Sequence, residues 1–485
     1  MFATAAALGA YPRADQREFC SFRDPSGFLF WHGGEIYRFV DRRYARAFES
    51  AQTSGLYKSA VAAHLLLDFE TLDPAQVHLP VPKDNCLAIL RPKQVPMITY
   101  PYEWSFAQLK DAAIATLRLH LLALEQGAVL KDATAFNVQF VDGRAVFIDH
   151  LSFDLASEYS AWPAYGQFCR HFLSPLLLMA YLDVSFGRIL QLYIDGPPLD
   201  LVSKLLPRRT RLSPAVQMHL HLHARVSQRY SDVREKVVKQ KGLSTKALAA
   251  IAGSLLRLVE SLKPVRQATE WGDYYSDTNY SDAAFSAKTQ MLRDYVESVA
   301  PRTIWDLGGN NGEFSRAICD LGQLIVCMDI DPGAVEKNYE ICRREGIRNI
   351  LPVVVDLTNP SPAIGFENKE RRAFSERGRP DLAIALALIH HLAITNNLPL
   401  DYIARFLASV APTLIIEFVP KFDSQVRRLL ANRPDVFPSY NEDGFLSAFA
   451  AHFEIIKGEP IPGSDRTLYL MRRRTPTLGA TGDNG

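Results

Sequence analysis

An apolar strand that stops at an acid, turns through glycines and re-enters a helix constrains this chain more than any average over its residues. The run TIWDLGGNNGEF does this. Asp306 closes the strand, Gly308, Gly309 and Gly312 shape the turn, and Asn310 stands where a pure glycine fingerprint would have its second glycine. Asn is among the few residues that tolerate left-handed backbone angles, so the departure is compatible with a tight turn. Such a turn lets backbone approach a nucleotide-like ligand. By itself it is equally an ordinary strand-to-helix connection.

Its surroundings narrow the choice. The next apolar run, LIVCMDIDPGAVEKNY, carries Asp329 roughly twenty residues downstream, where a Rossmann-type sheet places an acid against ribose hydroxyls. A third run, ILPVVVDLTNPSP, ends in Asp356, which could accept from an adenine amino group at the edge of the same crevice. Each acid has the alternative of a helix cap or turn residue. All three in series are hard to obtain by chance.

This order of acid, Gly-x-x-x-Gly, ribose acid and adenine acid resembles the class I S-adenosylmethionine-dependent methyltransferases over about residues 278–473. The turn is not the G-x-G-x-x-G of nicotinamide enzymes, and Asp306 precedes it directly, where those methyltransferases keep a carboxylate near the methionine part of the cofactor. The runs PDLAIALALIHHLA, APTLIIEFVPK, AHFEIIKGEPI and RTLYLMRRR continue the alternation and close it with an antiparallel pair. The wording NYSDAAFSAK, DLTNPSPAIGF, ALALIHHLAITNN and EFVPKFDSQVRRLL is similar to bacterial proteins of a nodulation-type methyltransferase family. The resemblance implies an α/β, Rossmann-like domain with a seven-strand, mostly parallel sheet and S-adenosyl-L-methionine as cofactor. It implies Asp306, Gly308, Gly309, Asn310, Gly312, Asp329 and Asp356 as cofactor-binding residues and leaves the substrate open.

Methyl transfer is an in-line displacement, so alignment and exclusion of water matter most, and a base is needed only where the acceptor must lose a proton. His390 and His391 follow the fourth apolar strand at the carboxyl edge, where doubly wound sheets bind ligands. His391 is favoured by analogy with methyltransferases that carry a His at this helix start. Glu417 ends the fifth strand at the same edge and is the candidate for orienting the acceptor. A carboxylate partly buried there is costly unless paired. Asn279 and Tyr280 are candidates for lining the pocket, and Lys421, Asp423 and Gln425 for shaping substrate entry.

The first half has a different grammar. SGFLFWHGGEIYRFV, CLAILRP and MITYPYEW read as strands, FAQLKDAAIATLRLHLLALEQG as a long helix, and the Asp142-Gly143 pair between VQF and AVFID as a hairpin turn. The stretch VLKDATAFNVQFVDGRAVFIDHLSF resembles the protein-kinase and aminoglycoside-phosphotransferase fold, in which D-x-x-x-x-N is followed after a hairpin by a metal-binding Asp. The matching positions are Asp132, Asn137 and Asp149, a candidate nucleotide and metal site, and PYEWSF resembles the hinge between lobes. The pattern departs from that fold: Leu130-Lys131-Asp132 replaces His-Arg-Asp, Asp149-His150-Leu151 replaces Asp-Phe-Gly, and no glycine-rich phosphate loop or clear strand lysine is present. Arg91 and Lys93 are only stand-ins. The expectation is a kinase-like, degenerate α+β domain.

At 485 residues the chain is long enough for more than one domain. Residues 1–226 are expected to be the kinase-like domain, 227–270 a helical linker containing LAAIAGSLLRLVESLK, 271–475 the methyltransferase domain and 476–485 a disordered tail. Lys and Arg total 54 against 53 Asp and Glu, so no global field favours nucleic acid, and PRRTR and MRRR read as solvated edges. The six scattered cysteines include no C-x-x-C pair and read as buried thiols. His219 and His223 share a helix face, but no acidic or cysteine partner lies nearby in sequence, so no metal is expected. The opening residues lack a basic region, and FLSPLLLMAYLDV is interrupted by Pro175, so no membrane span is expected and a cytoplasmic location is. The function expected is methyl transfer to a small-molecule, glycan or metabolite acceptor. The alternatives are a bifunctional kinase and methyltransferase or a cofactor-binding regulatory protein.

Overall fold

The computed structural model describes residues 17–75, 85–225, 243–265, 282–431 and 434–475. Two compact units divide the chain, 1–267 with 362–377 and 268–361 with 378–485. Asn279, Tyr280 and the 476–485 tail lie outside the described residues.

The second unit is built on a seven-stranded sheet of β9 (Thr303–Leu307), β10 (Leu324–Asp329), β11 (Ile350–Val354), β12 (Leu382–Ala385), β13 (Thr413–Phe418), β14 (Phe453–Pro460) and β15 (Thr467–Arg473). Their spatial order is β11-β10-β9-β12-β13-β15-β14. The first five run parallel, and β15 lies antiparallel to both β13 and β14. Parallel strands covered on both faces need continuous apolar runs, which is why IVCM and LAIA are buried along their length. Ile304, Ile325, Leu382, Ile384 and Ile415 pack with Leu292 and Tyr295 of the helix Asp282–Val299. The chain passes from β9 to β10 and β11 on one side and returns to β12 on the other, which opens a crevice at the carboxyl ends of β9 and β12. The helix Pro332–Glu345 follows its own punctuation: Asp331 accepts from the Gly333 amide at 2.7 Å, Pro332 opens the helix and Gly346 ends it at φ +71°.

In the first unit, β1 (Gly27–His32), β2 (Glu35–Asp41), β3 (Phe69–Leu72) and β4 (Cys86–Pro92) form an antiparallel sheet ordered β1-β2-β4-β3. SGFLFWHGGEIYRFV is therefore a hairpin turning at Gly33-Gly34 rather than a single strand. MITYPYEW forms no strand. Pro96 and Pro101 cannot donate to a ladder, and the Gln139 side chain instead pairs with both the amide and the carbonyl of Thr99 at 2.9 Å. Ser105 and Gln108 cap the long helix Phe106–Glu125 reciprocally. Beyond it come β5 (Ala128–Leu130), β6 (Val138–Val141), β7 (Arg144–Phe147) and β8 (Phe153–Leu155), paired β5 with β8 and β6 with β7. The β6–β7 turn has φ 51° at Asp142 and 70° at Gly143, as Asp-Gly predicts.

Two segments depart from the expected organisation. The helix Thr245–Ser261, expected as a linker, packs on the helix Phe106–Glu125 inside the first unit, with the Lys110 ammonium donating to the carbonyls of Glu260 at 2.8 Å and Leu262 at 2.9 Å. Its stripe of Leu248, Ala252, Leu255 and Val259 is buried, which a solvent-crossing linker would not be. The segment 362–377, expected within the methyltransferase domain, also belongs to the first unit. There Arg377 is held by Glu103 at 2.7 Å, both side chains buried, and Arg23 bonds Glu370 at 2.9 Å.

Candidate active site

The crevice of the second unit holds a cavity of about 290 Å³. Asp306, Gly308, Gly309, Asn310, Asp329 and Asp356 all line it, so three strand ends distant in sequence converge on one volume. Apolar wall comes from Phe285, Phe314, Ile330, Leu386 and Leu388.

Close packing explains the glycines. A Cβ on Gly309 would lie 2.6 Å from Asp306 Oδ2 and 2.5 Å from Cys327 Sγ. Gly312 is not among the cavity residues. It sits behind the turn at φ +77°, where a Cβ would meet the Asn338 amide at 2.3 Å. Asn310 takes φ 48°, the left-handed angle its identity allows. Its amide donates to Asp329 Oδ2 at 2.9 Å, and the Asp331 amide donates to Oδ1 at 2.9 Å. The second acid thus orients the turn of the first strand as well as facing the cavity. Asp306 accepts from the Ser315 hydroxyl at 2.6 Å. Burial raises both Asp306 and Asp329 from the usual carboxylate range to about 6. Asp356 accepts from the amide and hydroxyl of Thr358 at 2.9 and 2.7 Å, a local turn at the cavity rim.

The three candidates for chemistry separate. His391 lines the cavity, and burial, then the charge of Arg466, lowers it to about 4, so the ring is neutral near pH 7. His390 is fully buried and is not among the cavity residues, and both its ring nitrogens lack a hydrogen-bond partner among the described residues. Glu417, also absent from the lining, is 0% exposed and bridges the Lys288 ammonium at 2.6 Å and the Arg466 guanidinium at 3.2 Å. It further accepts from the Ala387 amide at 2.8 Å. Ala387 lies in the cavity wall at φ 48°, an angle that a residue with a Cβ adopts only under restraint, and Glu417 supplies that restraint. The structure therefore places Glu417 behind the cavity wall, not in it.

Lys288 is the residue that sequence reasoning passed over. It lines the cavity from the helix Asp282–Val299 at 1% exposure, and no local pattern distinguishes it from a surface lysine on an amphipathic helix. Asp423 and Lys421 stand outside the lining: Asp423 caps a helix through the Gln425 amide at 2.8 Å and pairs with Arg466 at 2.8 Å, and Lys421 pairs with Asp435 at 2.7 Å.

In the first unit Asp132, Asn137 and Asp149 do come together. Burial, then the charge of Asp149, raises Asp132, which accepts from the side chains of Gln167 and Asn137. The Asn137 amide also reaches Ser152 Oγ at 3.5 Å, and that hydroxyl donates to Asp149 Oδ2. Asp149 Oδ1 is bonded to Arg38 Nη2 at 2.9 Å, and the same nitrogen bonds Asp24. The cation facing the trio is thus Arg38 of β2. Arg91 and Lys93 are instead in half-exposed pairs with Glu70 and Asp142. The histidines of HLHLHAR diverge in a π-helical turn, His219 toward Tyr165 and Ser254 and His221 toward Ser203 and Thr210.

A sheet of order 3-2-1-4-5-7-6 with an antiparallel seventh strand, and a cavity at its carboxyl edge, has the class I methyltransferase fold. The chain belongs to the family of the nodulation protein NoeA of Rhizobium meliloti (strain 1021), with which it is 38% identical over 460 residues, 93% of this chain and 95% of the relative. No protein-family model matches. Among solved structures, the chain is similar to the N-methyltransferase NodS from Bradyrhizobium japonicum WM9 in complex with S-adenosyl-L-homocysteine (TM-score 0.32, 12% identity, 43% of this chain and 94% of that one). It is similar also to the magnesium protoporphyrin IX methyltransferase ChlM from Synechocystis PCC 6803 with the same product bound (TM-score 0.30, 16% identity, 42% and 93%). A third is the bifunctional kinase-methyltransferase WbdD (TM-score 0.30, 17% identity, 45% and 46%).

Proposed function

We propose that the chain is an S-adenosyl-L-methionine-dependent methyltransferase acting on a small-molecule, glycan or metabolite acceptor. The observation that carries the reading is the convergence of Asp306, Asp329 and Asp356 from three successive strand ends on one cavity. Asp329 is assigned the ribose hydroxyls, Asp356 the adenine amino group and Asp306 the cationic methionine end. Lys288, across the same cavity, adds a positive charge for the methionine carboxylate. The apolar wall of Phe285, Leu386 and Leu388 would keep water from the sulfonium, which favours displacement by the acceptor over side reactions.

His391 is the residue assigned to the acceptor's proton. A ring near pKa 4 is a weak base, so it serves an acceptor whose proton leaves as the new bond to carbon forms, rather than one that must be ionised beforehand. The first unit is read as a degenerate kinase-like module, supported by the meeting of Asp132, Asn137 and Asp149 across a hairpin. The free cysteines, four of them buried, suit a reducing compartment such as the cytoplasm.

Titration calorimetry with S-adenosyl-L-homocysteine tests the assignment, because product binding needs no acceptor. One molecule should bind per chain. Absence of binding by the folded full-length protein removes the reading.

A further inference from the structure

The kinase-like reading of the first unit implies a divalent cation on Asp149 and Asn137, but the side chains there are already engaged with one another. Asp149 Oδ1 is taken by Arg38 at 2.9 Å and by the Leu151 amide at 3.4 Å, and Oδ2 by the Ser152 hydroxyl. The Asn137 amide is turned to Ser152 and to Asp132, and Asp132 accepts from Thr134, Gln167 and Asn137. Among the described residues, no group of three or more His, Cys, Asp or Glu side chains is placed to hold a metal ion.

Arg38 occupies the place between the acids. Its side chain rises from β2 to a 6%-exposed position, where one Nη bonds both Asp149 and Asp24, while its buried Nε finds no hydrogen-bond partner among the described residues. Other titratable groups near the cluster are Asp132, Lys131, which donates to Ser26 Oγ at 3.0 Å and lies 4.4 Å from the Tyr44 ring, and His150, held by the Leu67 carbonyl at 2.8 Å and lowered by burial to about 4, so that it is neutral near pH 7. A guanidinium does not lose its proton inside a protein. A divalent cation drawing carboxylate oxygens to the short distances it requires would have to expel a buried, doubly paired positive charge or sit beside it.

We propose that Arg38 is the permanent counter-ion of Asp149 and Asp24, standing in the place of a divalent cation, so that the first unit is metal-independent and gains a metal site only when Arg38 is replaced. The ion pair stands whether or not the methyltransferase reading of the second unit is right. No phosphoryl-transfer step that depends on metal at these residues follows from the arrangement.

Manganese is the probe, followed by electron paramagnetic resonance and by thermal unfolding of the full-length protein. The wild type should take up no manganese at about 1 mM, with or without a non-hydrolysable ATP analogue, and its Tm should not move. R38M should lose thermal stability in chelator, recover part of it with manganese, and bind one equivalent that is lost again in R38M/D149N. Homocysteine-product binding by the second unit, or the circular dichroism of the whole chain if that binding is absent, reports that each variant is folded, and R38Q replaces R38M if the latter does not fold. Uptake of manganese by the wild type that D149N abolishes overturns the proposal, and so does a folded Arg38 variant that binds none.

Discussion

Both units gather carboxylates that lie far apart in sequence, yet they do so to opposite ends. In the second unit Asp306, Asp329 and Asp356 face a cavity of about 290 Å³. In the first, Asp24 and Asp149 close on Arg38, and Asp132 closes on neighbouring amides. The difference lies in what each acid still has to offer. Asp329 spends one lone pair of each oxygen on a backbone amide and keeps the remainder toward open space, whereas Asp149 is covered by a guanidinium on one oxygen and a hydroxyl on the other. A strand-end acid is a ligand group only if folding leaves it partly unanswered.

The largest effect that would break this comparison concerns Glu417. If it is a structural anchor shared by Lys288 and Arg466, Glu417→Ala removes the carboxylate paired with the buried Lys288, leaves Arg466 paired with Asp423, and should cost about 3 to 5 kcal/mol of stability in urea unfolding. A variant of wild-type stability that merely turns over slowly would restore the catalytic role.

Next in size, Asp329→Ala should weaken S-adenosyl-L-methionine binding by about 1.5 to 3 kcal/mol, the range of hydrogen bonds to a charged group, measured by calorimetry. Part of that loss would come through the Asn310 amide, which the carboxylate orients. Undiminished affinity would strip the acid of its assigned role.

The pH dependence of binding sharpens the contrast further. Burial raises Asp306 and Asp329 to about 6, so each carboxylate is ionised above that pH and protonated below it. If Asp306 faces the cationic end of the cofactor, as proposed, its ionised form binds better, so affinity is present above pH 6 and lost as pH falls through it. One such group predicts about a tenfold rise in Kd from pH 7 to pH 5. A flat profile would mean that neither acid changes protonation on binding.

An effect no larger than that is expected at His391. With its basicity lowered by burial and Arg466, His391→Ala should reduce kcat by about tenfold, below the usual range for a general base, and leave cofactor affinity nearly unchanged. Collapse of cofactor binding instead would make the ring part of the cofactor pocket.

Much of the second unit was legible beforehand because its signals are local. The glycine turn, the capped helix after Asp331, the strand-end acids and the closing pair β14–β15 each follow from neighbouring residues whose backbone angles and apolar runs admit few alternatives. The Asp142-Gly143 hairpin in the first unit is of the same kind. MITYPYEW and the helix Thr245–Ser261 were not legible, since whether an apolar run becomes a strand, a turn or a packed helix depends on the partner that covers it.

By itself the sequence determined the left-handed turn through Gly308, Asn310 and Gly312 and the residue types available at each strand end, because these are set by backbone sterics within a few residues of one another. Only the tertiary structure decided that Glu417 turns inward to Lys288 and Arg466, that Arg38 answers Asp149, and that residues 362–377 join the first unit. Lys288 and Glu417, like Arg38 and Asp149, are separated by more than a hundred residues, and a charge buried on folding has no preferred partner until packing decides which opposite charge lies within reach.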